Sequence, residues 1–154
     1  RQENTDDPER LRAIVSALEA LPRPPLLPLH PRTRDRLRRL GHRPGGALRV
    51  VPPASYLRML ALQKHARAVL TDSGGVQKEA FILGTPCITL RDATEWTETV
   101  AAGANRLMES DPERILAAVA AVERSRRRPR AAGVYGTGRA SEAIARLIVR
   151  HLRR

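Results

Sequence analysis

The chain has 154 residues, the usual size of one globular domain, and 42% of them are hydrophobic while only 3% are aromatic. Its formal charge of +12 comes almost entirely from arginine, and the few aromatic residues are not interleaved with the basic ones as they are in proteins that bind single strands. We therefore do not expect nucleic acid as a partner. Because no run of about 18 apolar residues and no apolar signal segment is present, we do not expect a membrane either.

Cysteine and histidine usage narrows the chemistry further. The single cysteine, Cys87, cannot form an internal disulfide and lies in an apolar run, which favours a reducing, cytoplasmic setting. His42 and His65 have no partner at metal-ligand spacing, so no metal site is predicted. Neither a Walker motif nor a GxGxxG fingerprint occurs, so no cofactor is predicted. The sequence begins without methionine, and we expect it to be part of a longer protein.

The first half of the chain alternates helix and strand patterns. Asp7-Pro8-Glu9 is a helix-start pattern, and apolar residues at helical spacing follow it as far as Leu21. A short apolar run at 26–29 predicts a buried strand that ends at His30. A basic helix at 32–40 and a second strand at 48–51 are predicted next.

The second half continues the same alternation. Ser55 is predicted to cap a helix that turns Leu57, Leu60 and Ala61 inward. The further predicted elements are a strand at 68–70, a helix at 76–83, a strand at 87–90, a short helix at 94–102, a strand at 106–108, a helix that Asp111 opens, a loop at 125–138 and an amphipathic helix at 141–152. In the last helix we expect Ile144, Leu147, Ile148 and Leu152 to face inward.

Short apolar strands separated by helices predict an α/β fold. We expect one Rossmann-like parallel sheet of about five strands with helices on both faces, formed by residues 1–154 as a single domain. In such sheets, ligands bind beyond the carboxyl ends of the strands.

The segment Ser73-Gly74-Gly75 lies where a predicted strand passes into a predicted helix. Two glycines allow close approach of the backbone to a phosphate, Ser73 adds a hydroxyl, and the unpaired N–H groups of a helix start favour an anion. Glu79 lies one helical turn further on, where its carboxylate can accept hydrogen bonds from a ribose diol. A simple tight turn followed by a solvated Glu79 is the alternative interpretation.

Two other residues are expected near the same edge of the sheet. His30 follows the end of the first strand, so it is a candidate ligand contact, with a structural loop residue as the alternative. Trp96 follows the fourth strand and is either a ligand contact or a residue that packs its loop onto the sheet.

Several blocks together resemble the C-terminal domain of the non-hydrolysing UDP-N-acetylglucosamine 2-epimerases, which are relatives of the glycosyltransferase-B fold. The blocks, in family order, are 1–6, 30–33, 71–80, 84–86, 90–92 with 94–95, and 103–107. The resemblance implies one half of a two-domain enzyme that lacks its N-terminal catalytic domain.

The resemblance also implies roles for individual residues. Ser73, Gly74 and Gly75 would hold the diphosphate and Glu79 the ribose, with the uracil near Pro53, Ala54 and Met59. In some bacterial members the histidine that corresponds to His30 is associated with a second, regulatory UDP-sugar. Lys78 replaces a usual glutamate, Trp96 replaces a common arginine, and 133–138 departs from the family's late motif, so contacts there are expected to differ.

The family's reaction inverts C2 of UDP-N-acetylglucosamine by elimination and re-addition of UDP. The resemblance implies that the catalytic carboxylates belong to the N-terminal domain, so this chain would contain no catalytic residue and would be inactive alone. Expected partners are UDP or UDP-N-acetylglucosamine, that N-terminal domain and a second copy in a homo-oligomer. The alternatives are half of another glycosyltransferase-B-type enzyme (a glycosyltransferase or a hydrolysing epimerase) and a basic module that binds acidic partners.

Overall fold

The computed structural model describes residues 2–125, 128–129 and 133–152, and it confirms the α/β class. Within these residues the helices are α1 (Gln2–Asp6), α2 (Pro8–Glu19), α3 (Pro31–Arg39), α4 (Tyr56–His65), α5 (Gly74–Ile82), α6 (Thr97–Ala101), α7 (Pro112–Ser125) and α8 (Ala140–Leu152). The strands are β1 (Leu26–Pro28), β2 (Arg49–Val51), β3 (Val69–Thr71), β4 (Cys87–Thr89) and β5 (Asn105–Leu107). Arg1 of the first motif block and residues 126, 127 and 130–132 of the predicted loop lie outside the described residues.

The described strands pair in parallel, but they form two sheets instead of the single sheet that we expected. One sheet has the order β1-β2 and the other the order β3-β4-β5, so the larger sheet has three strands. Residues of β1 and β3 line a mainly apolar cavity of about 1160 Å³ that lies between the two sheets.

Proline explains part of this division. On either side of β1, Pro25 O accepts a hydrogen bond from Arg49 N, and Leu29 N donates one to Val51 O. The odd-numbered residues of this segment therefore direct their backbone groups toward β2. Pro28 has the opposite parity and turns its backbone toward the other edge, where it has no N–H to donate. A three-residue strand that lacks one donor at its free edge gains little from pairing with β3.

The core forms around the apolar stripe of α2. Leu11, Ile14, Val15 and Leu18 pack into one cluster with β4 and with the buried face of α7. The predicted cap of α2 is confirmed, because Asp7 Oδ1 accepts from Glu9 N at 2.8 Å and from Arg10 N at 3.2 Å. Cys87 of β4 is also buried, outside this cluster, and burial raises the pKa of its thiol to about 11, as expected for a structural cysteine.

Two predicted helix faces were wrong. Ser55 precedes α4 without a side-chain capping bond. Of the residues expected inward, Leu60 is half-buried, but Leu57 is 76% exposed and Ala61 is exposed, because α4 meets α5 through the side that carries Gln63. In α8, the four residues expected inward, Ile144, Leu147, Ile148 and Leu152, are each more than half exposed. Apolar spacing shows that a helix has an apolar face, but it does not show which element covers that face.

Helix α1 was not predicted as an element, because five residues are too few to show a helical period. Its Asp6 accepts from Arg32 Nη2 at 2.9 Å and from Arg36 Nη2 at 3.0 Å, which joins α1 to α3. Across the described parts of the chain, no helix is both long and apolar enough to cross a bilayer.

Candidate functional site

The junction between β3 and α5 is a strand followed by a helix, as the sequence predicts, but the helix begins at Gly74, two residues before the predicted start at Val76. β3 is extended and ends at Thr71, Ser73 is the residue before α5, and the helix begins at Gly74. Ser73 N donates to Thr71 Oγ1 at 3.1 Å, whereas the Ser73 side chain makes no capping bond. Because the first N–H groups of α5 have no acceptor within the helix, they favour an anion at this end.

The two glycines of this turn have different surroundings. A Cβ on Gly74 would overlap the carboxylate at the end of the Glu95 side chain and lie 3.2 Å from Trp96 Nε1, so both side chains would have to shift to accommodate it. A Cβ on Gly75 would meet only Ser73 Oγ, at 3.9 Å, and neither glycine has a positive φ. Neighbouring side chains therefore crowd position 74, whereas nothing in the ligand-free fold requires glycine at position 75.

Glu79 lies one turn into α5 and contacts α4. Gln63 Nε2 donates to Glu79 Oε2 at 2.7 Å, and Gln63 is only 3% exposed. Met59 lies one turn before Gln63 in the same helix and is half-buried, while Pro53 is exposed in the connection from β2. The structure thus brings the helix of Met59 against the helix of Glu79 and leaves Pro53 at the surface.

Trp96 packs in an aromatic cluster beside α5. Lys78 Nζ lies 4.4 Å from the centroid of the Trp96 ring and 4.6 Å from that of Tyr135, which is cation–π geometry on both sides. Tyr135 also packs edge-on against Phe81, with ring centroids 5.6 Å apart. These contacts support the packing interpretation of Trp96, and a ligand contact stays a prediction. Lys78 and Trp96, the two residues that differ from the usual family residues at their positions, therefore contact each other directly.

The Tyr135 hydroxyl faces the carboxylate of Glu98. Burial and then this carboxylate raise the pKa of Tyr135 to about 12, and the hydroxyl in turn lowers the pKa of Glu98. The hydroxyl oxygen is buried, and it makes no hydrogen bond of standard geometry to any described group. Tyr135 therefore stays neutral and Glu98 stays charged at neutral pH, next to the Lys78 ammonium.

A buried polar network holds the Trp96 segment against α5. Gln77 Oε1 accepts from Thr94 Oγ1 at 2.6 Å and from Asn105 Nδ2 at 3.2 Å, and Thr99 Oγ1 donates to Trp96 O at 2.7 Å. Gln77 and Asn105 lie within the motif blocks, yet sequence reasoning gave them no role. Their position inside those blocks was the available signal.

His30 has a structural role in the described contacts. Its side chain is exposed, and Nδ1 accepts from Arg32 N at 3.3 Å, which caps α3. No described contact joins it to the Ser73 turn. A residue that the sequence did not single out, Asn4, instead reaches this edge, because Asn4 Nδ2 donates to Leu90 O at 2.8 Å and to Asp72 Oδ2 at 3.3 Å. Among the described residues there is no group of three or more potential metal ligands.

Comparison with known proteins identifies the family. A family model described as UDP-N-acetylglucosamine 2-epimerase matches residues 1–149. The chain belongs to this epimerase family. Membership confirms the resemblance seen in the motif blocks, and the solved epimerase structures confirm the glycosyltransferase-B-like α/β fold.

Individual relatives of the epimerase family support the same conclusion. The UDP-2,3-diacetamido-2,3-dideoxy-D-glucuronate 2-epimerase of Pseudomonas aeruginosa is 44% identical over 97% of this chain and 42% of its own length. The UDP-N-acetylglucosamine 2-epimerase of Methanocaldococcus jannaschii is 38% identical over 96% of this chain and 42% of its own length. The chain therefore spans about 42% of the length of these curated relatives.

Solved structures extend the comparison. The M. jannaschii epimerase in complex with UDP-GlcNAc and UDP superposes with a TM-score of 0.85 at 38% identity, over 97% of this chain and 43% of that one. A glycosyltransferase of kitacinnamycin, at 20% identity and a TM-score of 0.52, shares the fold alone.

Proposed function

We propose that this chain binds the UDP part of a UDP-sugar at the start of α5, as the nucleotide-binding half of a UDP-N-acetylglucosamine 2-epimerase. The observation that carries the proposal is Gly75, which lies in the first helical turn although neither its φ nor its surroundings require glycine. A residue of low helix propensity at such a position is explained by a ligand that approaches the backbone closely.

The residues fit the parts of a nucleoside diphosphate. The N–H groups of Gly74 and Gly75 and the hydroxyl of Ser73 would donate to the diphosphate, which the positive end of the α5 dipole also attracts. Glu79 would accept from the ribose hydroxyls. Pro53 and Met59, near the start of α4, would contact the uracil, and His30 and Trp96 stay candidates for further substrate or regulatory contacts.

The proposed reaction interconverts UDP-GlcNAc and UDP-ManNAc by elimination and re-addition of UDP. In this proposal the chain supplies no catalytic side chain, and the groups that move protons at the sugar belong to the part of the relatives that this chain does not span. The exposed apolar face of α8 would dock on that part or on a second copy. A cytoplasmic location, predicted from the lone Cys87, completes the proposal.

Calorimetric titration of the 154-residue chain with UDP tests the nucleotide site. We expect a dissociation constant near or below 1 mM, which corresponds to about 4 kcal/mol of binding free energy for a half-closed site. Ser73→Ala and Glu79→Gln should weaken binding, whereas Ser141→Ala, at an exposed serine near the start of α8, should not. Absence of heat at several millimolar UDP would overturn the proposal.

A chimera tests the reaction. Placing this chain in the M. jannaschii epimerase in place of the 42% that it matches should restore conversion of UDP-GlcNAc, measured by NMR of the anomeric protons. The chain alone should show no conversion. A chimera that folds and binds UDP but does not epimerise would contradict the proposed reaction, and turnover by the chain alone would contradict the absence of catalytic residues.

A further inference from the structure

Gln63 is a buried glutamine whose side chain contacts a proposed ligand-binding residue. Its side chain is 3% exposed, and its Nε2 donates to Glu79 Oε2 at 2.7 Å across the interface between α4 and α5. Burial of an amide is unfavourable unless its hydrogen bonds are made, and a bond to a carboxylate is stronger than a neutral one. The main polar contact of this buried amide is therefore with Glu79.

The backbone of Gln63 is fixed as well. Thr85 Oγ1 donates to Gln63 O at 2.9 Å, and Thr85 N donates to Ala80 O at 2.8 Å just after the end of α5. Gln63 is thus joined to α5 at two points, through Thr85 and through Glu79. Both Gln63 and Thr85 are buried, so the hydrogen bond between them is shielded from competition with water.

The orientation of the amide follows from its partner. Only the NH₂ group of a glutamine can donate to a carboxylate, so Nε2 must face Glu79. Gln63 Oε1 has no hydrogen-bond partner among the described residues, so Glu79 alone selects this orientation. The described hydrogen bond engages Oε2 of Glu79, which leaves Oε1 to face other groups.

We propose that Gln63 is a positioning residue that fixes the Glu79 carboxylate for the ribose diol and thereby makes the site select ribonucleotides. The inference rests on the proposed nucleotide site. Without the bond from Gln63, the half-buried Glu79 side chain has three rotatable bonds and must lose rotamer freedom when the nucleotide binds. With the bond, part of that ordering is already present in the ligand-free protein.

The test compares two nucleotides that differ only in the diol. We expect the unchanged chain to bind UDP about tenfold more tightly than 2′,3′-dideoxy-UDP. A factor of about ten is what one hydrogen bond to a charged group typically adds to an affinity. In Gln63→Met the affinity for UDP should fall about fivefold to tenfold while the affinity for dideoxy-UDP stays constant. If the role of Gln63 were purely structural, Gln63→Met would lower the affinity for both nucleotides by the same factor. In a Glu79→Ala background, Gln63→Met should have no further effect on UDP.

Controls separate this proposal from the proposed function. Lys64→Met, at the next and exposed position of α4, should change neither affinity. Gln63→Leu also removes the donor without adding a charge and should lose the same selectivity, so it replaces Gln63→Met if that variant does not fold. If the unchanged chain selects UDP but both variants keep the ratio, the role of Gln63 is overturned and the nucleotide site stands. If the unchanged chain binds no UDP, the proposed function itself fails.

Discussion

At the residue scale, Gly75 offers a direct test of whether the start of α5 is shaped for a ligand. Because a Cβ at position 75 would make only an ordinary contact with Ser73 Oγ, Gly75→Ala should raise the free energy of unfolding by up to about 1 kcal/mol through the better helix propensity of alanine. The same methyl group would occupy the approach of the diphosphate, so affinity for UDP should fall by about tenfold or more. Urea denaturation and calorimetry measure the two effects on one sample.

Gly45 provides the matched control for this variant. It also lacks a positive φ, and a Cβ there would meet only the carbonyl oxygen of Arg43, at 3.7 Å. Gly45→Ala should therefore leave UDP affinity unchanged. If Gly75→Ala binds UDP as tightly as the unchanged chain, the diphosphate does not approach this backbone.

The residues of the site differ in how far the sequence could predict them. Ser73, Gly75 and Glu79 were predicted as site candidates because a strand–turn–helix junction is encoded within a few neighbouring residues. Gln63 and Asn4 were not, since their partners lie 16 to 86 positions away in the chain. A buried polar contact across such distances leaves no periodic signal, so it becomes visible only when the elements have been packed together.

At the element scale, the exposed apolar face of α8 is the feature with the clearest consequence. No residue of α8 is buried, and Ile144, Leu147 and Ile148 are more than half exposed. Adjacent exposed apolar side chains favour association. We expect the 154-residue chain to self-associate as its concentration rises, and Leu147→Gln with Ile148→Gln to shift it toward monomer in sedimentation velocity runs.

The double variant should leave the stability of the core unchanged, because α8 contributes nothing to it. Arg146→Gln, on an exposed side chain of the same helix, is the control and should not reduce association. A chain that stays monomeric at high concentration without substitution would contradict the prediction. The sequence predicted the apolar stripe of α8 correctly and its inward direction wrongly, since the partner for a stripe is not encoded in the helix itself.

At the scale of the whole molecule, the division of the strands into two sheets is the feature that the sequence did not predict. Alternation of helices and strands predicted the parallel direction of every described pair. Whether neighbouring strands share one ladder depends on a few edge groups, such as the missing N–H of Pro28. α2 packs its core residues against both halves, so one cluster joins two sheets that do not pair.

This arrangement predicts uneven stability within one molecule. Strands β3, β4 and β5 should exchange their amide hydrogens more slowly than β1 and β2. The reason is that β4 is buried along its whole length and pairs with two strands, whereas β1 and β2 are partly exposed and pair only with each other. Hydrogen-exchange mass spectrometry of peptides that cover 25–51 and 69–107 measures the difference. Saturating UDP should slow exchange most at the start of α5, because the proposed diphosphate and ribose contacts lie there. Equal protection of all five strands would show that they open as one unit, in contradiction to two separate sheets.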